Sequence, residues 1–350
     1  MKPKAVLAYC REKGIKSVDI RFPDGLGRWK HFTIPASTLH ETMFETGLSL
    51  EACSALAPDR EETSAPLVVI PDPEAKYLDP LQPVPTLVLL ANLQDARSGE
   101  GSTWDVRAVA NRALAAFRLA GIADDVQLSS TVPFAIEHGN RLLPNGNGPG
   151  LSEQKMDWYP HKQFLIGGIH DPDMAFRNEI MQAAVDSGLG VIRHYRGPHS
   201  SSEFLLGQQS LVQACDDHII LRSLFETGAL QQSLQIDANV PAVVKSSWSI
   251  LKNGEPILDG LRSHGLSDLG WYAAGGILKH QLALTAIACA SPSIHNLAIA
   301  RKAHQQTHWQ DRGAFKILGV EQANHDPRFR SLVYRGTPAN SRSEEHTSEL

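Results

Sequence analysis

The chain has 350 residues, 42% of them hydrophobic, and a formal net charge of -5 at pH 7. That length can bury a sizeable core and predicts about two domains, while an acidic balance with scattered Lys and Arg excludes nucleic acid as a main partner. The longest apolar stretches, such as 282–290, fall short of the ~20 residues a membrane-spanning helix needs, so no membrane association is expected.

In chain order, MKPKAVLAYCREKG lacks a long apolar run and a small-residue cleavage site, so no secretory signal is read there. KSVDIRF (16–22) alternates polar and apolar positions, DGLGR makes a glycine-bearing turn, and WKHFTIP (29–35) follows: a β-hairpin. Thr38 and Glu41 form a capping-box pattern opening a helix that Gly47 closes. LVVIP (67–71) and TLVLLANL (86–93) read as strands. The N-terminal unit, residues 1–95, is therefore a small sheet with one helix on it, and the polar stretch 94–103 is a candidate linker. A second domain, 104–341, opens with a helix whose Val106, Val109, Ala110, Ala113, Leu114 and Phe117 share one face and should point to a core, ending at Gly121. A strand around 126–137, a loop at 139–150, a helix closed by Gly188 and the strand LGVIRHYR come next. Further helices are expected within 206–230 and 266–290, the latter capped by Ser267 or Asp268. Antiparallel strands with helices grouped beside them give an α+β class. Cys10, Cys53, Cys215 and Cys289 are widely spaced and fit reduced thiols and a cytoplasmic location better than a disulfide framework.

The last nine residues, RSEEHTSEL (342–350), resemble the translation of a sequencing adapter and are set aside from fold reasoning. The natural chain is expected to continue past Ser341 with a sequence not represented here.

HYRGPHSSSEF (194–204) places His194, His199 and Glu203 within ten positions, all of them residue types that ligate divalent metals. The spacing matches neither a zinc helix nor a paired-cysteine motif, and Gly197 and Pro198 break any helix. Local sequence alone gives the metal reading little support.

Several segments together resemble the glutamine synthetase family, in the family's order: VDIRFPDGLGRWKHFTIP, VVIPDPEAKYLDP, RALAAFRLAGIADDV, MQAAVDSGLGVIRHY and GLSDLGWYAAGGILKH. The resemblance covers about residues 12–340. It implies an N-terminal β-grasp domain, a C-terminal catalytic domain whose curved antiparallel sheet forms a cup, and ring-shaped oligomers with sites shared between neighbouring subunits. The family reaction phosphorylates the γ-carboxylate of glutamate with ATP and lets ammonia displace phosphate. Such chemistry needs clustered carboxylates for divalent metals, arginines for acceptor and phosphate, and an acid group to take the proton of ammonium.

Mapped through that resemblance, the two glutamates of the family's ExE strand become Thr131 and Pro133. Along β-strand and loop 194–204, His194 persists and Glu203 fits the last glutamate, whereas the first carboxylate falls on Tyr195 or Gly197 depending on gap placement. The family's HxH strand gives Lys245 and Ser247, and a lysine there would repel a metal. Glu51 in EACS matches the acid that accepts the ammonium proton, although a solvated surface glutamate explains it as well. IHNLAI lacks the basic pair of the phosphate-binding segment. Arg312 in DRGAFKIL and Arg335 in LVYRG match family arginines, with Lys316 or Leu318 in place of a second arginine and Val333 in place of a glutamate; structural ion pairs explain both equally.

The resemblance with these losses implies a glutamine-synthetase framework whose ligase activity is lost or strongly altered: a non-catalytic subunit or a metabolite binder. The partners expected are copies of itself or a glutamine-synthetase-like subunit, with an amino acid or amine as small molecule and no cofactor assigned. The alternative is an active carboxylate–amine ligase using ATP with Mg or Mn, the metal held by Glu203, His194 and His199, with Glu51, Arg312 and Arg335 in catalytic roles.

Overall fold

The computed structural model describes residues 2–24, 29–50, 67–102, 105–137, 165, 167–168, 171–197, 201–236, 244–262, 266–280 and 331–333. The chain divides into two compact units, one comprising 1–120, 183–189 and 211–223 and the other the remainder.

The first unit is built on strands β1 (Ser17–Pro23), β2 (Trp29–Pro35), β3 (Leu48–Leu50), β4 (Leu67–Leu78) and β5 (Thr86–Asp95), in the order β2-β1-β5-β4-β3. β1 and β2 form the expected antiparallel hairpin, Ser17 opposite Pro35 and Pro23 opposite Trp29. β1 runs parallel to β5, so the sheet is mixed. β5 is buried from Thr86 to Ala91, as a central strand covered on both faces should be. Val18, Ile20, Phe22, Leu67, Val69, Leu87, Leu89 and Leu93 pack one core with Val6 and Cys10 of helix α1 (Pro3–Glu12). That helix is an addition to the sequence-predicted elements. Pro3 starts it, where a missing N–H costs nothing.

The other face of this sheet carries buried polar residues beside Val88 and Leu90. Arg21 donates to Asp19 (2.6 Å), Asp79 (2.9 Å), the Tyr77 hydroxyl (2.6 Å) and Ser223 (3.2 Å), while Asp19 also accepts from Thr33 and pairs with His31. Asp19 and Arg21 of KSVDIRF are therefore buried ion-pairing positions.

Two sequence expectations are corrected here. The capping box at Thr38 does not form. Ala36–Thr38 is a single 3-10 turn, the Thr38 hydroxyl donates back to the Pro35 carbonyl, and the helix is one short turn, α2 (Met43–Thr46). Gly47 does end it, at φ +69°, and a Cβ there would lie 2.3 Å from Val68 Cγ1. Helix α3 (Val106–Leu119) does not turn its apolar stripe to a core: Val109 is 50% exposed, Ala113 is exposed, and Val106, Ala110, Leu114 and Phe117 are half-buried. The buried residue is Arg107, which donates to both carboxylate oxygens of Asp216, to Asp72 and to the Asn92 side chain. A guanidinium with that many charge-assisted bonds sets how the helix lies, ahead of a weakly apolar stripe rich in alanine. Burial works against its charge, but Asp216 and Asp72 outweigh that and hold its pKa above the ordinary value. Asp105 caps the helix through Arg107 N and Ala108 N and also accepts from Leu93 N. Over 94–102, the stretch read as a linker closes a turn onto β5, with Asp95 N bonded to Glu100 O and Ser102 N to Leu93 O.

The second unit carries β6 (Asp125–Phe134), β7 (Val191–Arg196), β8 (Ser202–Ser210), β9 (Lys245–Lys252), β10 (Glu255–Pro256) and β11 (Ser331–Val333). Their order is β10-β9-β6-β8-β7, antiparallel throughout, with β11 parallel to β9. Helices α4 (Met174–Asp186) and α5 (Leu211–Gln231) each contribute to both units, and α6 (Asp268–Lys279) belongs to the second. Phe134 stacks on Phe225 at 4.1 Å between ring centroids, and Phe204 and Phe176 meet Phe225 edge-on. Gly188 ends α4 at φ +89°, as expected. Of the two proposed caps of α6, Ser267 is the one that works: its hydroxyl accepts from Gly270 N at 3.0 Å. The class is α+β, as the sequence implies. Among the described residues, no helix is long and apolar enough to cross a membrane.

Candidate functional site

Strand register decides which candidate residues can act together. β7 and β8 place Tyr195 opposite Glu203 and His194 opposite Phe204. β6 joins on the other side of β8, with Pro133 opposite Glu203 and Thr131 opposite Leu205. On β9, Lys245 takes the register position opposite Thr131, and Ser247 the one opposite Ser129. Successive side chains of a strand point to opposite faces. Tyr195, Glu203, Pro133 and Thr131 therefore share one face, and the register of Lys245 and Ser247 continues it. The positions that the family resemblance links to metal ligands thus fall in adjacent strands on one face, although most of their side chains have changed.

Glu203 is 2% exposed and accepts a hydrogen bond from the Tyr195 hydroxyl at 2.7 Å. At 2.7 Å this is a well-formed hydroxyl–carboxyl hydrogen bond. Gly197 leaves room beside the carboxylate: a Cβ there would lie 2.6 Å from Glu203 Oε1 and 2.4 Å from Ser201 Oγ. Its amide donates to Ser201 O at 2.7 Å, tying the end of β7 to the start of β8.

His194 lies on the opposite face. Its Nε2 is 2.8 Å from Asn178 Oδ1, an acceptor, so Nε2 carries the proton and Nδ1 accepts from Arg177 Nε at 3.2 Å. Burial first, and then the Arg177 charge, lower its pKa, with Asp171 opposing. The ring is neutral and both nitrogens are engaged. Arg177, 1% exposed, pairs with Asp171, and Arg196 lies 4.0 Å from Asp171 and 3.9 Å from Asp173. This buried ionic cluster braces β7 from behind.

The structure therefore does not bring His194 and Glu203 together as ligands of one ion. Glu51, His199, Arg312 and Arg335 lie outside the described residues, as do Lys316, Leu318 and IHNLAI. Magnesium takes octahedral oxygen coordination through carboxylates, phosphates and water. Thr131, Pro133, Tyr195, Glu203, Lys245 and Ser247 supply one carboxylate, and that one is already hydrogen-bonded. These residues do not fit the divalent metals that the fold family implies. Among the described residues, no group of three or more His, Cys, Asp or Glu side chains is arranged to hold an ion.

Sequence reasoning missed the role of Tyr195. A signal existed: Tyr195 and Glu203 lie eight apart across Gly197 and Pro198, a spacing at which two hairpin strands can place residues opposite each other. Recognising 202–210 as a strand would have exposed it.

Comparison with known proteins gives the same picture of the framework. The glutamine synthetase β-grasp domain family matches residues 14–96. The glutamine synthetase of Aquifex aeolicus is 25% identical over 364 aligned residues, covering 97% of this chain and 77% of that protein. A 3-hydroxylaminophenol mutase of Cupriavidus pinatubonensis is 24% identical, with 81% of this chain and 65% of that protein covered. Among solved structures, Plasmodium falciparum glutamine synthetase superposes with a TM-score of 0.71 at 16% identity, covering 85% of this chain and 63% of that one.

Proposed function

The chain belongs to the glutamine synthetase family, and from that premise we propose that its ATP-dependent glutamate–ammonia ligase chemistry is lost or strongly altered. The framework then serves as a non-catalytic subunit, assembling with itself or with a glutamine-synthetase-like partner, or as a binder of a small amino acid or amine. The observation that carries this reading is Thr131 and Pro133 on the strand beside Glu203, at the positions matched to paired carboxylates. Phosphoryl transfer depends on metals that bridge the phosphate oxygens and neutralise developing charge. Ligands that act as a unit are not replaced by the one that remains.

Retention of Glu203 at its matched position favours a second reading, an ATP-dependent carboxylate–amine ligase with Glu203 and His199 toward the metal and with Glu51, Arg312 and Arg335 in catalytic roles; His194 faces the other way. Relatives of similar identity carry both a synthetase and a mutase name, which supports chemical divergence on this framework. The two readings separate on ADP release measured with glutamate, ammonium or methylamine and either Mg or Mn. The proposal expects background rates with every acceptor. Acceptor-dependent turnover, with the amide as product, would instead establish the ligase.

A further inference from the structure

We propose that Tyr195 has replaced a divalent cation as the partner of Glu203, making the Glu203 face of this chain independent of metal. This rests on the reading above and adds to it the residue that closes the site. A buried carboxylate must be compensated by a cation or by hydrogen-bond donors. Here the Tyr195 hydroxyl, 2.7 Å from Oε2, supplies a donor. The other oxygen rests against Gly197, in the space that any larger residue would occupy. The carboxylate is 2% exposed, so an arriving ion would have to displace the hydroxyl.

Among the described residues, the strand positions beside this contact offer few ligands. Across β8, Pro133 has no side-chain donor or acceptor, and Thr131 offers a hydroxyl in place of a charge. His194 is adjacent in sequence but turned to Asn178 and Arg177 on the opposite face. A phenol hydroxyl carries a proton to donate, and the geometry makes Tyr195 the donor and Glu203 the acceptor. Tyr195 is also one of the two positions at which the resemblance puts the missing carboxylate. One substitution thus removes a ligand and satisfies the neighbour that ligand would have shared its ion with.

The test is Mn2+ binding to the full chain, read as loss of the aqueous Mn2+ electron paramagnetic resonance signal and as the change in Tm. The wild type should leave the signal unchanged. Tyr195→Glu, which puts a second carboxylate beside Glu203, should bind at least tenfold more tightly, and the gain should vanish in Tyr195→Glu/Glu203→Gln. Tyr195→Phe keeps the ring and its packing, so it guards against a misfolded Tyr195→Glu. It should lower Tm, and Mn2+ should restore part of that loss while leaving the wild type unmoved. Mn2+ uptake by the wild type that Glu203→Gln abolishes would overturn the proposal, as would folded Tyr195 variants no more responsive than the wild type. If wild-type uptake occurs without acceptor-dependent ADP release, this inference alone fails; turnover would defeat the functional reading itself.

Discussion

Asp217 and His218 are neighbours on α5 whose protonation is set in opposite directions by burial. Asp217 is pushed up to about 6, by burial first and then the Asp216 charge, while Gln213, donating at 2.6 Å, works the other way. His218 is pushed down to about 4, by burial and then by Arg222. Between about pH 4 and 6 the folded chain holds a proton on Asp217 that the unfolded chain has released, so this group lowers stability as pH rises. For His218 the unfolded chain binds the proton that the folded one excludes, so stability rises with pH over about 4 to 6.5. Moving a pKa by one pH unit corresponds to about 1.4 kcal/mol, and the two groups move by similar amounts, so their slopes largely offset each other. Asp217→Asn removes one slope and leaves the other. The variant should exceed the wild type in Tm at about pH 7.5 and lose Tm more steeply on acidification from about pH 6.5 to 4.5. A profile parallel to that of the wild type would contradict the assignment.

At the scale of the element, β7 separates two kinds of chemistry by one residue. Tyr195 serves Glu203 on one face, and His194 serves Arg177 on the other. His194→Ala should therefore leave the Arg177 Nε donor buried without its acceptor, at a cost of about 1–3 kcal/mol. Tm should fall and the response to Mn2+ should not change; an unchanged Tm would show that the contact is dispensable. This division could not be read from HYRGPHSSSEF, because a face is defined only once the strand and its register are known. β8 itself escaped notice: SEFLLGQQS has no simple alternation, and a bulge between Leu206 and Gln209 interrupts its register with β6. The hairpin β1–β2 and the strands β4 and β5 were legible because alternation and glycine-bearing turns are local signals. The orientation of α3 was not, since Arg107 finds Asp216 a hundred and nine positions away.

Across the whole molecule, framework and chemistry left separate traces. The ordered segments that resemble glutamine synthetases are carried by turn and core residues, and they implied the α+β class and the β-grasp domain that the structure and comparisons show. Through the resemblance, Thr131, Pro133 and either Tyr195 or Gly197 read as missing carboxylates. Their consequence was not legible there: Tyr195 satisfying Glu203 is a three-dimensional fact. The most direct measurement of the central claim is the Tm of the full chain titrated with Mg·ATP and with Mn·ATP. A framework that has lost the ligase chemistry should show no saturable shift with either, because among the described residues no group is arranged to hold the metals that bind the phosphates. A saturable rise of several degrees would contradict it.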